Sequence, residues 1–479
     1  MVSDNFKFGF SECGFQSEMG LSGTDCNSDW FIWSNDKRNI EKHYVSDDLP
    51  QNGVAYWDLY KQDHDNADKL NMNAARLGIE WSRIFPESTE NIKVDVRYDN
   101  DDILYIGIDD EAIKKMDEIS DKNAIKHYSD IFNDFKSRNK FLIVNLYHWV
   151  IPKWLNDPSG FTDNDKQRAI GGCFNNHIII EFAKYCAYIS SKFDYMADRW
   201  STMNEPNMVY QGCSADSSYN GIAMRKKKFA EAHARAYDAI KLYSKKPVGV
   251  IFANGDIQSI DNDTDILNKA KFFNRYSFFD PIINGDLSWY YELINDGKSI
   301  KIRNDMKNRV DWLGLNYYSR DVIKRNDSGW EILKGYGHYC GDMKKSLDGR
   351  SVSDTGWEIY PDGIYNIIMD YYNRYKIPIT ITENGMADDM DRYRSDYIIS
   401  HFYNIEKAVN DGAEVDGYYH WSLTDNYEWA SGFSKKFGLF KVNMETKERF
   451  MRPSALIYKE IIDNHGVPDD LKWIAECKI

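Results

Sequence analysis

The stretch IPITITENG, residues 377–385, alternates Ile with Thr and then stops on Glu383, Asn384 and Gly385. β-Branched residues at this density read as a buried strand, and the glycine closes it. A carboxylate at the end of such a strand needs a reason. The same feature occurs 178 residues earlier, where RWSTMNEP (199–206) finishes on Asn204 and Glu205. Six further runs share this character: FKFGFSE (6–12), AARLGIEW (74–81), FLIVNLYHW (141–149), VGVIFANG (248–255), WLGLNYYS (312–319) and GYYHWSLTDN (417–426). Near-continuous apolar runs of this length suit parallel strands covered on both faces. Helix-like segments lie between them. In 175–193 the apolar positions 178, 179, 182, 185, 186, 189 and 193 form a helical stripe, and 228–243 is Ala-rich. Eight strands alternating with helices predict an α/β fold, a single (β/α)8 TIM barrel. The runs start roughly 40–70 residues apart, so long βα loops and insertions are expected. A doubly wound open sheet is the alternative.

Five of these runs bring to their ends residues suited to a site: His148 and Trp149, Asn204 and Glu205, Tyr317 and Tyr318, Glu383, and Trp421. In an α/β barrel the C-terminal strand ends carry the site. The barrel is expected to span 1–479 as one domain. One segment stands apart, 86–122, with twelve acidic against five basic residues, and reads as a solvated surface insertion.

Composition excludes several functions. A net charge of −15 disfavours nucleic acid and anionic membrane surfaces as partners, because both need a basic face. Seven cysteines without a CxxC pair form neither a disulfide framework nor a zinc site. The N-terminus MVSDNFKFGFSECG lacks a signal-peptide core, and no apolar stretch is long enough to span a bilayer. A cytoplasmic protein acting on a neutral small molecule is the expectation.

Strands four and seven face each other across an eight-stranded barrel. Glu205 and Glu383 can therefore flank its mouth. Two carboxyl groups with no metal cluster suit cleavage of a glycosidic bond, which needs a proton for the leaving oxygen and negative charge near the anomeric carbon. One must be protonated and the other ionised at the same pH. Pro206 restricts Glu205 to extended backbone. Aromatic neighbours and a second carboxylate raise its pKa. Arg76 and Tyr318 can hold Glu383 ionised. A buried ion pair of Arg76 with Glu383, without catalysis, remains the structural alternative. His148 has no HxH or HxxxH partner, which argues against a metal.

These motifs resemble glycoside hydrolase family 1, the β-glucosidase/β-galactosidase family, and most closely its archaeal β-glycosidase branch. The resemblance is carried by FGFSECGFQSEMG, EWSRIFPE, NLYHWVIPKWL, TMNEPN, LGLNYYS, ITENGM, YYHWSLTDNYEW and FSKKFGLFKV, from about residue 6 to 460. It implies a retaining double displacement, with Glu205 as acid/base and Glu383 as nucleophile. Asn204 would meet the sugar 2-hydroxyl, and Arg76 and Tyr318 would orient the nucleophile. Gln16, His148, Trp149, Glu428 and Trp429 would hold the terminal sugar, with Trp421 as its floor. No cofactor or metal is implied. The expected substrates are small β-glucosides, β-galactosides or oligosaccharides, and homo-oligomers, tetramers by analogy, are possible in such a family. A carboxylate at Glu428 argues against 6-phospho-sugars, whereas Lys435 and Lys436 in SKKFG depart from the SxRFG of relatives and leave that alternative open. A transglycosidase, or a sugar-binding barrel without turnover, is the other reading.

Overall fold

The computed structural model describes residues 1–160, 171–212, 218–294 and 302–477. Its central sheet is a closed ring of eight parallel strands: β1 (Lys7–Ser11), β2 (Ala74–Gly78), β3 (Phe141–Asn145), β4 (Arg199–Asn204), β5 (Val248–Ser259), β6 (Trp312–Asn326), β7 (Ile379–Asn384) and β8 (Val415–His420). Each strand pairs with its neighbour in chain order, and β8 returns to β1 with Lys7 beside Gly417 and Phe10 beside His420. Every one of the eight runs read from the sequence lies on one of these strands. The open-sheet alternative fails because each of the eight strands is paired on both sides, which leaves no edge strand in the ring.

Side chains fill the ring. Ala74, Ile143, Ile251, Trp312 and Tyr419 form one buried cluster within it. The two large rings need small partners. A Cβ on Gly249 would lie 2.5 Å from the Trp312 indole, and one on Gly9 would lie 2.8 Å from the Tyr419 ring. Large and small residues thus alternate around a packed centre, as barrels of this type require. Outside, α1 (Asn176–Phe193) and α2 (Tyr219–Lys241) pack on one another, and the Asn175 side chain accepts the Ile178 N–H to start α1.

Two strands run past the rim. Asp256 to Ser259 of β5 pair with Arg320 to Ile323 of β6, and Gly329–Ile332 folds back antiparallel on β6. The sequence run at 312–319 stops short of this extension because Arg320, Asp321, Lys324 and Arg325 break its apolar character.

The acidic segment 86–122 is only partly a solvated face. It forms a hairpin, Asp95–Asp99 with Asp102–Gly107, followed by the helix Asp110–Ile119. Ile103, Ile106, Ile108 and Met116 join the main core. Asp102 is buried, paired with Lys227 and, at 3.1 Å, with Arg303. Arg303 also meets Glu231 at 3.2 Å, and Glu231 accepts the Ile103 N–H at 2.6 Å. Composition counted charges but could not see that one of them anchors the hairpin to α2. Truncating Asp102 leaves the buried Lys227 without the carboxylate it pairs with and removes one of three carboxylates around Arg303. Asp102→Ala is therefore expected to cost about 3–5 kcal/mol. A thermal melt read beside wild type at one scan rate checks this, and an unchanged midpoint would count against the network.

Candidate active site

The strand ends converge on one cavity of about 470 Å³. Gln16, His148, Trp149, Glu205, Tyr318, Glu383, Trp421, Glu428 and Trp429 all line it. Arg76 and Asn204 lie directly beneath, fully buried. Of the residues singled out in the sequence, Lys435 and Lys436 are not among those lining the cavity, and Tyr317 is turned away from it. That ring points away into the core and its hydroxyl donates to the Tyr360 carbonyl at 2.6 Å. Adjacent strand residues face opposite sides, so only Tyr318 of the pair can enter the barrel.

Two irregularities aim the carboxylates. The β6–β7 register shifts between Ile381 and Glu383. With perfect alternation Thr382 and Glu383 would face opposite sides. Instead the Thr382 hydroxyl donates to Asn316 Oδ1 at 2.7 Å while Glu383 reaches Arg76, so both address the mouth. A bulge is the usual device for re-aiming a side chain beside a site. The β4–β5 register shifts likewise between Ser201 and Asn204. Glu205 follows with φ +47°, in the left-handed region and not extended as Pro206 predicts. Its N–H donates to the Ile251 carbonyl at 2.8 Å, and Pro206 opens the helix Pro206–Gly212. Tertiary hydrogen bonding and the helix start override the local preference. Trp149 (φ +69°) and Trp429 (φ +48°) are also left-handed. Such residues cost roughly 1–3 kcal/mol each and cluster where function needs them.

The two carboxyl groups are treated differently. Glu383 receives Arg76 Nη2 on Oε1 at 2.6 Å and the Tyr318 hydroxyl on Oε2 at 2.7 Å. One partner is a cation and both donate to the carboxyl oxygens. Glu205 receives only a neutral donor, Asn316 Nδ2 to Oε1 at 2.8 Å. Burial, and after it the Glu383 charge, push the Glu205 carboxyl up to about 8. A chain of contacts joins the pair. Arg76 Nη1 donates to Asn204 Oδ1 at 2.7 Å, and Asn316 Nδ2 spans Asn204 Oδ1 (3.1 Å) and Glu205. Asn316 was not among the residues read from the sequence. Its signal was present: it lies two positions before Tyr318 in LGLNYY, hence on the same face of the strand.

Asn204 also orients His148. Its Oδ1 is occupied by Arg76 and Asn316, so its Nδ2 donates to His148 Nε2 at 3.0 Å. Burial and the Arg76 charge push the His148 pKa well down. The imidazole is neutral, and Nδ1 carries its proton with no acceptor among the described residues. Gln16 Nε2 donates to the Tyr427 carbonyl (2.9 Å) and toward Glu428 Oε2 (3.3 Å), while Gln16 Oε1 has no partner among the described residues. Burial and Glu383 raise Glu428 to about 8. Below that pH its carboxyl can donate as well as accept, a broader role than the acceptor pair expected of a carboxylate. The rings stack around these groups. Trp429 lies parallel to Phe15 at 5.7 Å and close to Trp149 at 4.8 Å; Trp421 lies 6.0 Å from His148.

A mouth of this kind has two carboxyl groups in unlike surroundings, polar atoms left open on one side and indole faces beside them. The family model of glycosyl hydrolase family 1 matches residues 115–467. The chain belongs to that family. It is 44% identical to the β-galactosidase of Saccharolobus solfataricus over 98% of this chain and 97% of that one. Its fold is similar to the β-glycosidase from Thermosphaera aggregans, with a TM-score of 0.91 and 41% identity over 99% of both chains. The β-glucosidase A of Thermotoga maritima is 27% identical over 97% of this chain and 98% of that one. This family 1 protein is a glycoside hydrolase, and retention by double displacement is the chemistry typical of its family. Among the described residues no group of three or more His, Cys, Asp or Glu side chains could hold a metal, and no helix is long and apolar enough to cross a membrane.

Proposed function

We propose that this protein removes terminal non-reducing β-D-glucosyl or β-D-galactosyl residues, with Glu383 as nucleophile and Glu205 as acid/base. The unequal environment of the two carboxyl groups carries the reading: a guanidinium and a phenol on Glu383, one amide on Glu205. A Glu383 oxygen attacks the anomeric carbon as the bond to the leaving oxygen breaks. Glu205 gives its proton to that oxygen. The ester so formed is then cleaved by water, whose proton goes to Glu205 and whose oxygen joins the anomeric carbon, releasing Glu383. Arg76 and Tyr318 hold the nucleophile in line. Asn204 offers its amide to the 2-hydroxyl. Gln16 Oε1, His148 Nδ1 and Glu428 take the remaining hydroxyls, and Trp421 and Trp429 cover the apolar face of the ring.

The charges around the cavity disfavour a 6-phospho-sugar. Arg275 is the one Lys or Arg among the described lining residues, and it is engaged by Asp370 at 2.7 Å. Lys435 Nζ donates to the Asp354 carbonyl at 2.6 Å. A panel of nitrophenyl β-glucoside, β-galactoside, β-fucoside, β-mannoside and 6-phospho-β-galactoside tests the reading. Turnover of the unphosphorylated glucoside or galactoside, at least about 100-fold faster in kcat/KM than the phosphorylated one, is the expected result. The margin corresponds to a few kcal/mol for a dianion left without a cation. Preference for the phosphorylated sugar, or tight binding without turnover, would reject it.

A further inference from the structure

Asp29 is fully buried behind the wall of the cavity and lines no part of it. It opens the helix Asp29–Asn35, and its carboxyl faces four N–H donors. Oδ1 accepts from Trp30 N at 2.8 Å and from Ile151 N at 3.2 Å. Oδ2 accepts from Asn156 Nδ2 at 2.9 Å and from Gly171 N at 2.8 Å. Among the described residues no cation acts on it; burial pushes the carboxyl up to about 7, and the four donors work against that rise. A buried carboxyl is tolerated where hydrogen bonds answer both oxygens, and here each oxygen accepts twice.

The backbone around it is paired as well. The Asp29 N–H donates to the Ile151 carbonyl at 3.0 Å, and Ser28 forms a bridge with Pro152. Asp29 thus joins the segment after β1 to two points of the loop that follows β3. What this joint carries is indole. Trp149 stands two residues before Ile151 with left-handed backbone (φ +69°), and its Nε1 donates to the Asn204 carbonyl at 3.1 Å. Trp30 is the next residue after Asp29. Both rings rest on Trp429, with centroids 4.8 Å (Trp149) and 4.6 Å (Trp30) from it. Trp149 and Trp429 line the cavity, and Trp30 does not.

We propose that Asp29 is a positioning residue for sugar binding: through one carboxyl it clamps Trp30 and the Trp149 loop, and so fixes Trp429 and Trp149 in the wall against which the terminal sugar packs. The proposal rests on the glycosidase reading above. Apolar ring contacts are non-directional and leave the rings free to slide, whereas hydrogen bonds set where the backbone lies. An amide of the same shape cannot replace the carboxyl. Asn has one oxygen and must turn its NH2 toward two N–H groups. The indole wall meets substrate and transition state alike, so loosening it shows in KM and not in kcat.

The test uses the full chain and a nitrophenyl β-glucoside above pH 7, where the carboxyl keeps its charge. Asp29→Asn is expected to raise KM at least about tenfold and to change kcat less than about threefold. A merely structural role lowers the folded fraction, and with it the apparent kcat, while KM stays. Asn156→Ala removes one of the four bonds and is expected to raise KM about two- to threefold. Asp29→Asn is repeated in the Trp429→Ala background, where the added rise in KM should shrink to less than about threefold. A KM at the wild-type value in Asp29→Asn, or in Asn156→Ala where the first variant does not fold, would overturn the proposal. A fall in kcat at constant KM, or an undiminished rise in the Trp429→Ala background, would overturn it too. Each of these leaves the catalytic reading intact. A wild type that turns over no glycoside would reject the parent reading and this one with it.

Discussion

Replacing Glu383 by glycine lowers kcat/KM on a nitrophenyl β-glycoside by at least about 10⁴-fold, the scale at which removal of a covalent nucleophile is felt. Azide or formate then restores turnover. The space left by the side chain admits a small anion to the face the carboxylate occupied, beside Arg76 and Tyr318. Attack from that face on a β-glycoside yields the α-product, so the configuration of the glycosyl azide identifies the missing group. The same variant separates catalysis from the ion-pair alternative. A purely structural Arg76–Glu383 pair predicts a lower melting temperature and no anion rescue. The Glu383 charge also helps to raise Glu205 and Glu428. In Glu383→Gln both should titrate lower, which ¹³C NMR of the labelled carboxyls reads directly. Wild-type activity in either variant would remove Glu383 from the mechanism.

Glu205→Gln has the second largest effect, and it depends on the leaving group. A general acid contributes about 10²- to 10⁴-fold. The loss should therefore fall near the top of that range for an alkyl glucoside and be far smaller in the first step for a dinitrophenyl glycoside, which leaves without a proton. In the wild type Glu205 must be protonated and Glu383 ionised. With Glu205 raised to about 8, kcat/KM is expected to fall as pH rises through that value. The variant should lose the alkaline limb on activated substrates. Glu428 is raised to about 8 as well, so this limb alone does not assign the acid. Persistence of the limb in Glu205→Gln, with its loss in Glu428→Gln, would transfer it to the sugar-binding carboxyl. The stability sign follows from the same shift. A carboxyl raised in the folded state is favoured protonated there, so the stability it takes away grows as pH rises from the unfolded value toward about 8. Glu205→Gln is thus expected to melt higher than wild type, by more at pH 8 than at pH 5.

Much of this was legible along the chain. Short apolar runs at regular spacing specify a parallel barrel because each strand is buried on both faces and each is followed by a helix. The runs ending on Glu205 and Glu383 marked the mouth because a charge at a strand end is costly unless it is used or paired. Residues beyond the strands, such as Gln16, Glu428 and Trp429, were reached through family resemblance, since no periodicity points to them. Asn316 was passed over, although its face could be counted from Tyr318. The acidic hairpin was read by its charge, while its anchoring depends on Lys227 and Arg303, more than 100 positions away.

By itself the sequence determined the ring of eight strands, which two of them end on a carboxyl group, and that both lie at one end of the barrel. These follow from local pattern and spacing, which are properties of neighbours in the chain. The tertiary structure alone decided how the carboxyl groups are aimed and which of them keeps its proton. Two register shifts and a left-handed Glu205 turn the side chains inward against the local rule, and they persist because the hydrogen bonds from Glu205 N–H to the Ile251 carbonyl, from Thr382 to Asn316 and from Asn316 to Glu205 outweigh it. The surroundings of each carboxyl group are likewise a matter of what lies across the mouth: an arginine from the second strand and a tyrosine from the sixth reach Glu383, and among the described residues one amide donates to Glu205. Charge and burial act through space, so no reading along the chain could have divided them.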